Sequence, residues 1–301
     1  MRSRAALIMV GIASLVAGCS TVPLWQAASL RGKPTGEVMA VSLPAAFHLD
    51  DSEHVFVKVS VNSHPSVWML VDTGSTPSAI NYEYAKSIGL KYDKDQQRGA
   101  GAGSDPINIR HTVVSSLQSG ALVERQIPFV TVDYSRSGPD GKPVAGVLGY
   151  SFLRGHTILL DYRKGIVSIS KRRLLRHSSV PFVLTNDIPT VQVSLNKRTI
   201  NALLDTGGGY QLLLTPEAAN RIGLQPSKSD ARQTSGVGYG GTQMLTVSAG
   251  PAFSVGDLTK PKSDITYMPL PVKVDGALGT HLFKDYKVEF DYQSKLVRFS
   301  E

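Results

Sequence analysis

The 301-residue sequence predicts a mainly β fold made of two homologous, pseudo-symmetric lobes with short helices. Three observations predict it. An apolar run ending in Asp-Thr-Gly occurs twice, as Met69-Leu70-Val71-Asp72-Thr73-Gly74-Ser75 and as Ala202-Leu203-Leu204-Asp205-Thr206-Gly207-Gly208. The segments around the two copies recur in the same order. The remaining apolar runs are short, rich in Val, Ile and Leu, and punctuated by 28 Gly and 17 Pro, a pattern of strands joined by turns.

The chain opens with Arg2 and Arg4 and an apolar stretch from Ala5 to Val16, too short for a permanent span, which reads as a processing signal over residues 1–18. It ends in Val16-Ala17-Gly18-Cys19, which resembles the bacterial lipobox. That resemblance implies cleavage before Cys19 and acylation of this residue, so that palmitate-type chains hold the protein to a membrane. Ser20 stands where an Asp would mark inner-membrane retention, and the expectation is an outer-membrane lipoprotein facing the periplasm. Cys19 is the single cysteine, so no disulfide forms within the chain and stability must come from packing. Residues 19–43 read as a polar tether. The formal charge of +8 is dispersed apart from the cluster Lys171-Arg172-Arg173 to Arg176, and no nucleic-acid-binding module is present.

The first lobe is expected over residues 44–170. Val55 to Val61 alternates apolar and polar residues, Asn62-Ser63-His64-Pro65 turns, and Val67 to Val71 forms a second strand that delivers Asp72. Asn81 to Gly89 follows as a short helix with an Asn cap and a Gly stop. His48, Asp50, Asp51 and His54 could be drawn as a metal cluster, but they precede an alternating strand and read as an exposed turn, so no metal site is expected. Residues 171–181 are the expected linker. Over residues 182–301 the parts return: the alternating Thr190 to Leu195, a turn at Asn196-Lys197-Arg198, an apolar Ala202 to Leu204, Asp205, and a helix from Thr215 to Gly223 with Pro216 at its first position. Gly146-Val147-Leu148-Gly149 answers to Gly276-Ala277-Leu278-Gly279, and Leu160-Asp161-Tyr162 to Phe290-Asp291-Tyr292. Asp161 and Asp291 close apolar strands before turns and read as structural.

Two Asp-Thr-Gly loops, each with a downstream apolar-apolar-Gly strand, resemble the centre of a two-lobed aspartic peptidase, retropepsin-like or pepsin-like. The resemblance covers nearly all of the chain from about residue 50 onwards. It implies an aspartic endopeptidase whose catalytic pair is Asp72 and Asp205, with no cofactor. Two carboxyls in contact cannot both ionise cheaply, so the pair keeps one proton and supplies a base and an acid together. The resemblance further assigns Thr73 and Thr206 to cross-linking the two loops and Gly74 and Gly207 to close backbone approach, with Ser75 beside Asp72. Gly208 departs from the pattern, standing where a Ser, Thr or Ala is usual, and leaves Asp205 without the hydroxyl partner that Ser75 offers Asp72.

Each lobe carries a glycine-rich segment past its Asp: Gly99 to Ser104, with Gly101 and Gly103, and Gly236 to Thr242, with Gly238, Tyr239 and Gly240. Both are expected to be flap hairpins over a substrate cleft, as in a retroviral-type dimer fused into one polypeptide. The second contains Gly-x-Gly-x-x-Gly, but a strand pattern follows it, which excludes a dinucleotide loop. Implied partners are a peptide or protein substrate and, through Cys19, a membrane; the two lobes pair within a monomer. Two rival functions fit parts of the pattern. One is a catalytically silent peptide-binding lipoprotein on the same fold. The other, an ATP-binding protein of the sugar-kinase and actin type, is opposed by the export signal and the scarcity of long helical periods.

Overall fold

The structure, a computed structural model, describes residues 7–9, 41–43, 45–47, 53–133, 136–139 and 141–301. Cys19, His48, Asp50, Asp51 and most of the expected signal and tether lie outside the described residues. The chain is mainly β, in two lobes of matching topology. Residues of the first lobe form an eight-stranded sheet, and those of the second dominate an eleven-stranded sheet.

In the first lobe, Val55–Val61 pairs antiparallel with Val67–Val71. Its valines are buried while Lys58 is exposed, the alternation expected of a strand with one wet face. Val67–Val71 then gains a parallel neighbour, Gly146–Leu148, which brings Val71 opposite Leu148. Gly146–Leu148 in turn pairs antiparallel with Ser78–Asn81 on its other side. The strand leading to Asp72 therefore has partners on both edges, and its last three residues are buried, as their unbroken apolar run requires.

The second lobe repeats this arrangement. Arg198–Leu204 pairs with Ile188–Leu195 on one edge and, in parallel, with Gly276–Leu278 on the other. The strand Leu212–Leu214 closes the far side of Gly276–Leu278. Both predicted helices are present and capped as their sequences specify. Asn81 accepts from Tyr84 N ahead of Tyr82–Ser87, and Thr215 accepts from Ala218 N ahead of Pro216–Ile222. Gly223 ends the latter in the left-handed region, at φ 68°.

A six-stranded sheet ties the lobes together. The hairpin Thr157–Asp161 with Ile166–Ser170 comes from one lobe and Lys287–Asp291 with Leu296–Ser300 from the other, and they meet antiparallel with Thr157 opposite Asp291. Asp161 and Asp291 serve as structural acceptors: Asp161 takes Lys164 N, and Asp291 takes Leu174, Gln293 and Ser294 N. The cationic cluster between the lobes has a use its sequence did not reveal. Arg172, with Arg298, pairs with the fully buried Glu289, and Arg173 pairs with the fully buried Asp291. These pairs fasten the connector to the shared sheet. One apolar cluster, containing Val71, Leu148, Ile158, Leu204, Leu278 and Phe290, runs through both lobes.

Both glycine-rich segments are hairpins. Gln97–Gly99 pairs with the start of Ile107–Ser119. Arg232–Gly238 pairs with Gly241–Gly250 around a tip at Tyr239-Gly240. The outer edge of Arg232–Gly238 also takes Leu7–Met9 as a parallel strand, opposite Ser235–Val237.

Candidate active site

The matching topologies place Asp72 and Asp205 at equivalent strand ends, where Asp72 N donates to Leu148 O at 3.1 Å and Asp205 N to Leu278 O at 2.9 Å. The loops that follow lock together through their threonines. Thr73 Oγ1 donates to Leu204 O at 2.7 Å and accepts from Thr206 N at 3.0 Å. Thr206 Oγ1 donates to Val71 O at 2.8 Å and accepts from Thr73 N at 3.0 Å. All four bonds are buried and cross from lobe to lobe, so neither loop can shift without breaking a bond made by the other.

Each carboxylate is held by its own loop and lies against the other. Gly74 N donates to Asp72 Oδ1 at 2.8 Å, and Gly207 N to Asp205 Oδ1 at 2.9 Å. A Cβ added to Gly74 would meet Asp205 Oδ1 at 2.5 Å, and one added to Gly207 would meet the Asp72 carboxyl carbon at 2.5 Å. Glycine is required at both positions because the space of a side chain is filled by the opposite acid. Neither Asp exposes any surface. Burial, followed by the charge of Asp205, pushes the Asp72 carboxyl well above its ordinary value of 3.8. Asp205 is also raised by burial, but hydrogen bonds, that of Tyr210 foremost, pull against the shift.

Two expectations about hydroxyls are corrected here. Ser75 Oγ donates to Pro77 O at 2.7 Å and gives nothing to Asp72. Asp205, in turn, does not lack a hydroxyl: the buried Tyr210 donates its phenol to Asp205 Oδ2 at 2.5 Å. Gly208 is what admits it, since a Cβ at that position would fall 2.5 Å from two Tyr210 ring carbons. Tyr210 was not among the residues singled out in the sequence. Its signal there is the run Gly207-Gly208-Gly209-Tyr210, in which the bulk and hydroxyl missing from the loop return at its end.

The expected exposed turn at His54 is also corrected. His54 is fully buried, with Nε2 2.6 Å from Gly207 O and Nδ1 2.9 Å from Arg136 Nη2. A guanidinium can only donate, so Nδ1 accepts and Nε2–H donates to the Gly207 carbonyl. The Arg136 guanidinium also stacks 5.0 Å from the Phe56 ring centroid. The first lobe thus supports the backbone of the second lobe's Asp-Thr-Gly loop from behind.

The hairpin tips join across the lobes. Gly103 N donates to Tyr239 O at 2.7 Å, and Asp105 N to Gly240 O at 2.9 Å. Gly101 and Gly103 make this approach, for a Cβ on either would lie 2.3 Å or less from the other tip's backbone. Each tip buries a side chain in the opposite lobe. Tyr239 joins Phe56, Leu70, Ile107 and Val147, while Ala102 joins Leu203, Tyr210, Leu245 and Met268. The two tips, one from each half of the duplication, thus hold one another, and Ala102 shares its cluster with Tyr210, the Asp205 donor.

The family model described as aspartyl protease matches residues 57–152 and 191–282, one block in each lobe and more than half of the chain together. Among solved structures the chain is similar to the aspartic proteinase from Irpex lacteus, at 13% identity with a TM-score of 0.54, over 87% of this chain and 97% of that one. No curated protein matches the sequence. With two Asp-Thr-Gly loops cross-linked by their threonines, a lobe-to-lobe sheet and a family match in each half, the chain belongs to the aspartyl protease family.

Proposed function

We propose that the protein is an aspartic endopeptidase in which Asp72 and Asp205 activate a water molecule for attack on a peptide bond. The observation that carries the reading is the reciprocal packing of each buried carboxyl on the other loop's glycine, which makes double ionisation costly and retains one proton on the pair. As the water oxygen bonds to the carbonyl carbon, its proton passes to the ionised carboxylate while the other acid's proton passes to the carbonyl oxygen. On collapse the C–N bond breaks. The first acid then gives its proton to the departing amine, and the diol returns a proton to the second. The pair ends as it began, with one proton.

The substrate is an extended peptide segment admitted beneath the two hairpins, whose interlocked tips must part to receive it. The pairing of Leu7–Met9 along the outer edge of Arg232–Gly238 supports the extended form of the substrate, as a case of an extended segment bonded to this hairpin. Cleavage of an unfolded protein across pH 3–7 by wild type, Asp72→Asn and Asp205→Asn tests the reading. Loss of turnover in both variants is expected, with an acid to mildly acidic optimum in wild type, and equal activity in all three would sink it. We further propose anchorage of the mature chain to the bacterial envelope through Cys19, supported by the sequence Val16 to Cys19. Cys19→Ala should abolish both palmitate incorporation and the cleavage before residue 19, and labelling of the variant equal to wild type would deny the anchor.

A further inference from the structure

The two Asp-Thr-Gly loops are equivalent in backbone and cross-link but unequal in the donors they aim at their acids. Asp205 receives two hydrogen bonds, from Gly207 N on Oδ1 and from the Tyr210 phenol on Oδ2. Asp72 takes Gly74 N on Oδ1 and lies against Gly207 N and the Asp205 carboxyl, and among the described residues no hydroxyl reaches it as Tyr210 reaches Asp205. A donor on a carboxylate oxygen favours the ionised form, so the extra phenol favours ionisation at Asp205 over Asp72. Resting on the endopeptidase reading above, we propose that Tyr210 is a positioning residue of the pair: its phenol, reaching Asp205 through the space left by Gly208, holds Asp205 as the ionised, water-activating member and leaves the shared proton on Asp72.

The geometry makes the phenol dependable. Tyr210 is fixed in the apolar cluster that includes Leu203, Leu213, Leu245, Met268 and the tip residue Ala102. Burial, with the Asp205 charge, pushes the phenol well above its ordinary 10.0, so it remains a donor throughout the acidic range. Burial raises both carboxyls, and the Tyr210 bond opposes that rise at Asp205. Other ionisable groups near the pair are the phenols of Tyr162 and Tyr292, both raised by burial, and His54 with Arg136 behind it, which holds the Gly207 carbonyl rather than either acid. Positions 208 and 210 exclude one another's alternatives, since any side chain at 208 strikes the tyrosine ring. The hydroxyl has moved from the loop itself to a residue that also touches the tip's cluster.

Tyr210→Phe keeps the ring and deletes the donor. The phenol stabilises the ionised Asp205 both before and after Asp72 loses its proton. Its removal should therefore raise the acid limb of the kcat/KM profile by about 1–2 pH units while leaving the alkaline limb in place. Below that limb kcat/KM should fall about 10- to 100-fold, with less effect at the optimum. 3-Fluorotyrosine at position 210, a stronger donor of nearly the same shape, should move the acid limb downward, and it serves where the phenylalanine variant folds poorly. Gly208→Ser combined with Tyr210→Ala should recover part of the acid limb lost in Tyr210→Ala alone. An unmoved acid limb, or equal movement of both limbs, in the phenylalanine and fluorotyrosine forms overturns the proposal. If Asp72→Asn and Asp205→Asn abolish turnover while these profiles stay fixed, only the role of Tyr210 fails; if the Asn variants remain active, the endopeptidase reading itself fails.

Discussion

Replacing Asp72 by Asn should stabilise the protein while removing its activity, by an amount that depends on pH in a defined way. Asp72 has no exposed surface, and burial together with the charge of Asp205 holds its folded-state pKa well above the ordinary 3.8. Between the unfolded and folded values the native state binds more protons at this site than the unfolded state does, so stability falls as pH rises through that window. Each pH unit costs wild type about 1.4 kcal/mol relative to a variant with nothing to titrate there. Below about pH 4 the acid is protonated in both states, Asn is nearly its isostere, and the two stability curves should coincide. Above it the difference should open at that slope, reaching at most about 4 kcal/mol by pH 7. It should level off at the pH where the folded pair loses its shared proton. Urea unfolding of wild type and Asp72→Asn at half-unit steps from pH 3.5 to 8 reads both the slope and the plateau. Parallel curves, or a wild type that gains on the variant as pH rises, would refute the argument that burial raises this carboxyl.

Three other perturbations have expected outcomes. Thr206→Val deletes the bond to Val71 O and the acceptor of Thr73 N; with two buried groups orphaned it should cost about 2–6 kcal/mol in urea unfolding, and a cost under ~1 kcal/mol would deny the cross-link its structural importance. Gly103→Ala places a Cβ 2.1 Å from the Gly240 backbone, so the tips should separate and lose two hydrogen bonds, together about 1–3 kcal/mol of tip-to-tip stability. Amide exchange at Gly103 and Asp105 should quicken about 5- to 150-fold, and unchanged protection would show that the tips are not held by this contact. Glu289→Ala removes the buried anion between Arg172 and Arg298; because both guanidiniums can turn toward water, the loss should be about 2–3 kcal/mol, below the ~3–5 of a fully enclosed pair. Proteolysis within residues 171–181 should quicken with it, and an unchanged cleavage rate would argue against the clamp on the connector.

The fold was legible because duplication writes each element twice. Alternation in Val55–Val61 recurs in Ile188–Leu195, and the Asn81 and Thr215 caps sit at matching places before matching helices. What escaped were contacts between residues distant in the chain. His54 looked like a turn residue because its neighbours are polar, yet its partner is Gly207, 153 positions away. The linker cations stood out only as a cluster without a role, because their carboxylates, Glu289 and Asp291, lie in another strand more than a hundred residues on, hidden within an apolar pattern. A pattern along one strand reports which face is wet, and it carries no information on what a different segment brings to that face.

The same reasoning explains why the loop motif was readable and its asymmetry was not. Threonines and glycines recur in both copies because their task is shared: each threonine bonds the other loop, and each glycine admits the other acid. A two-fold device of this kind needs identical parts. Assigning one proton between two acids needs unequal parts, and the inequality falls outside the motif, in a tyrosine five residues past Asp205 whose place is cleared by Gly208. Gly208 read alone looked like a missing hydroxyl. In the fold it is the gap through which a hydroxyl from elsewhere reaches the acid, so departures from a repeated motif are informative about mechanism only when the residue that fills the vacated space is known.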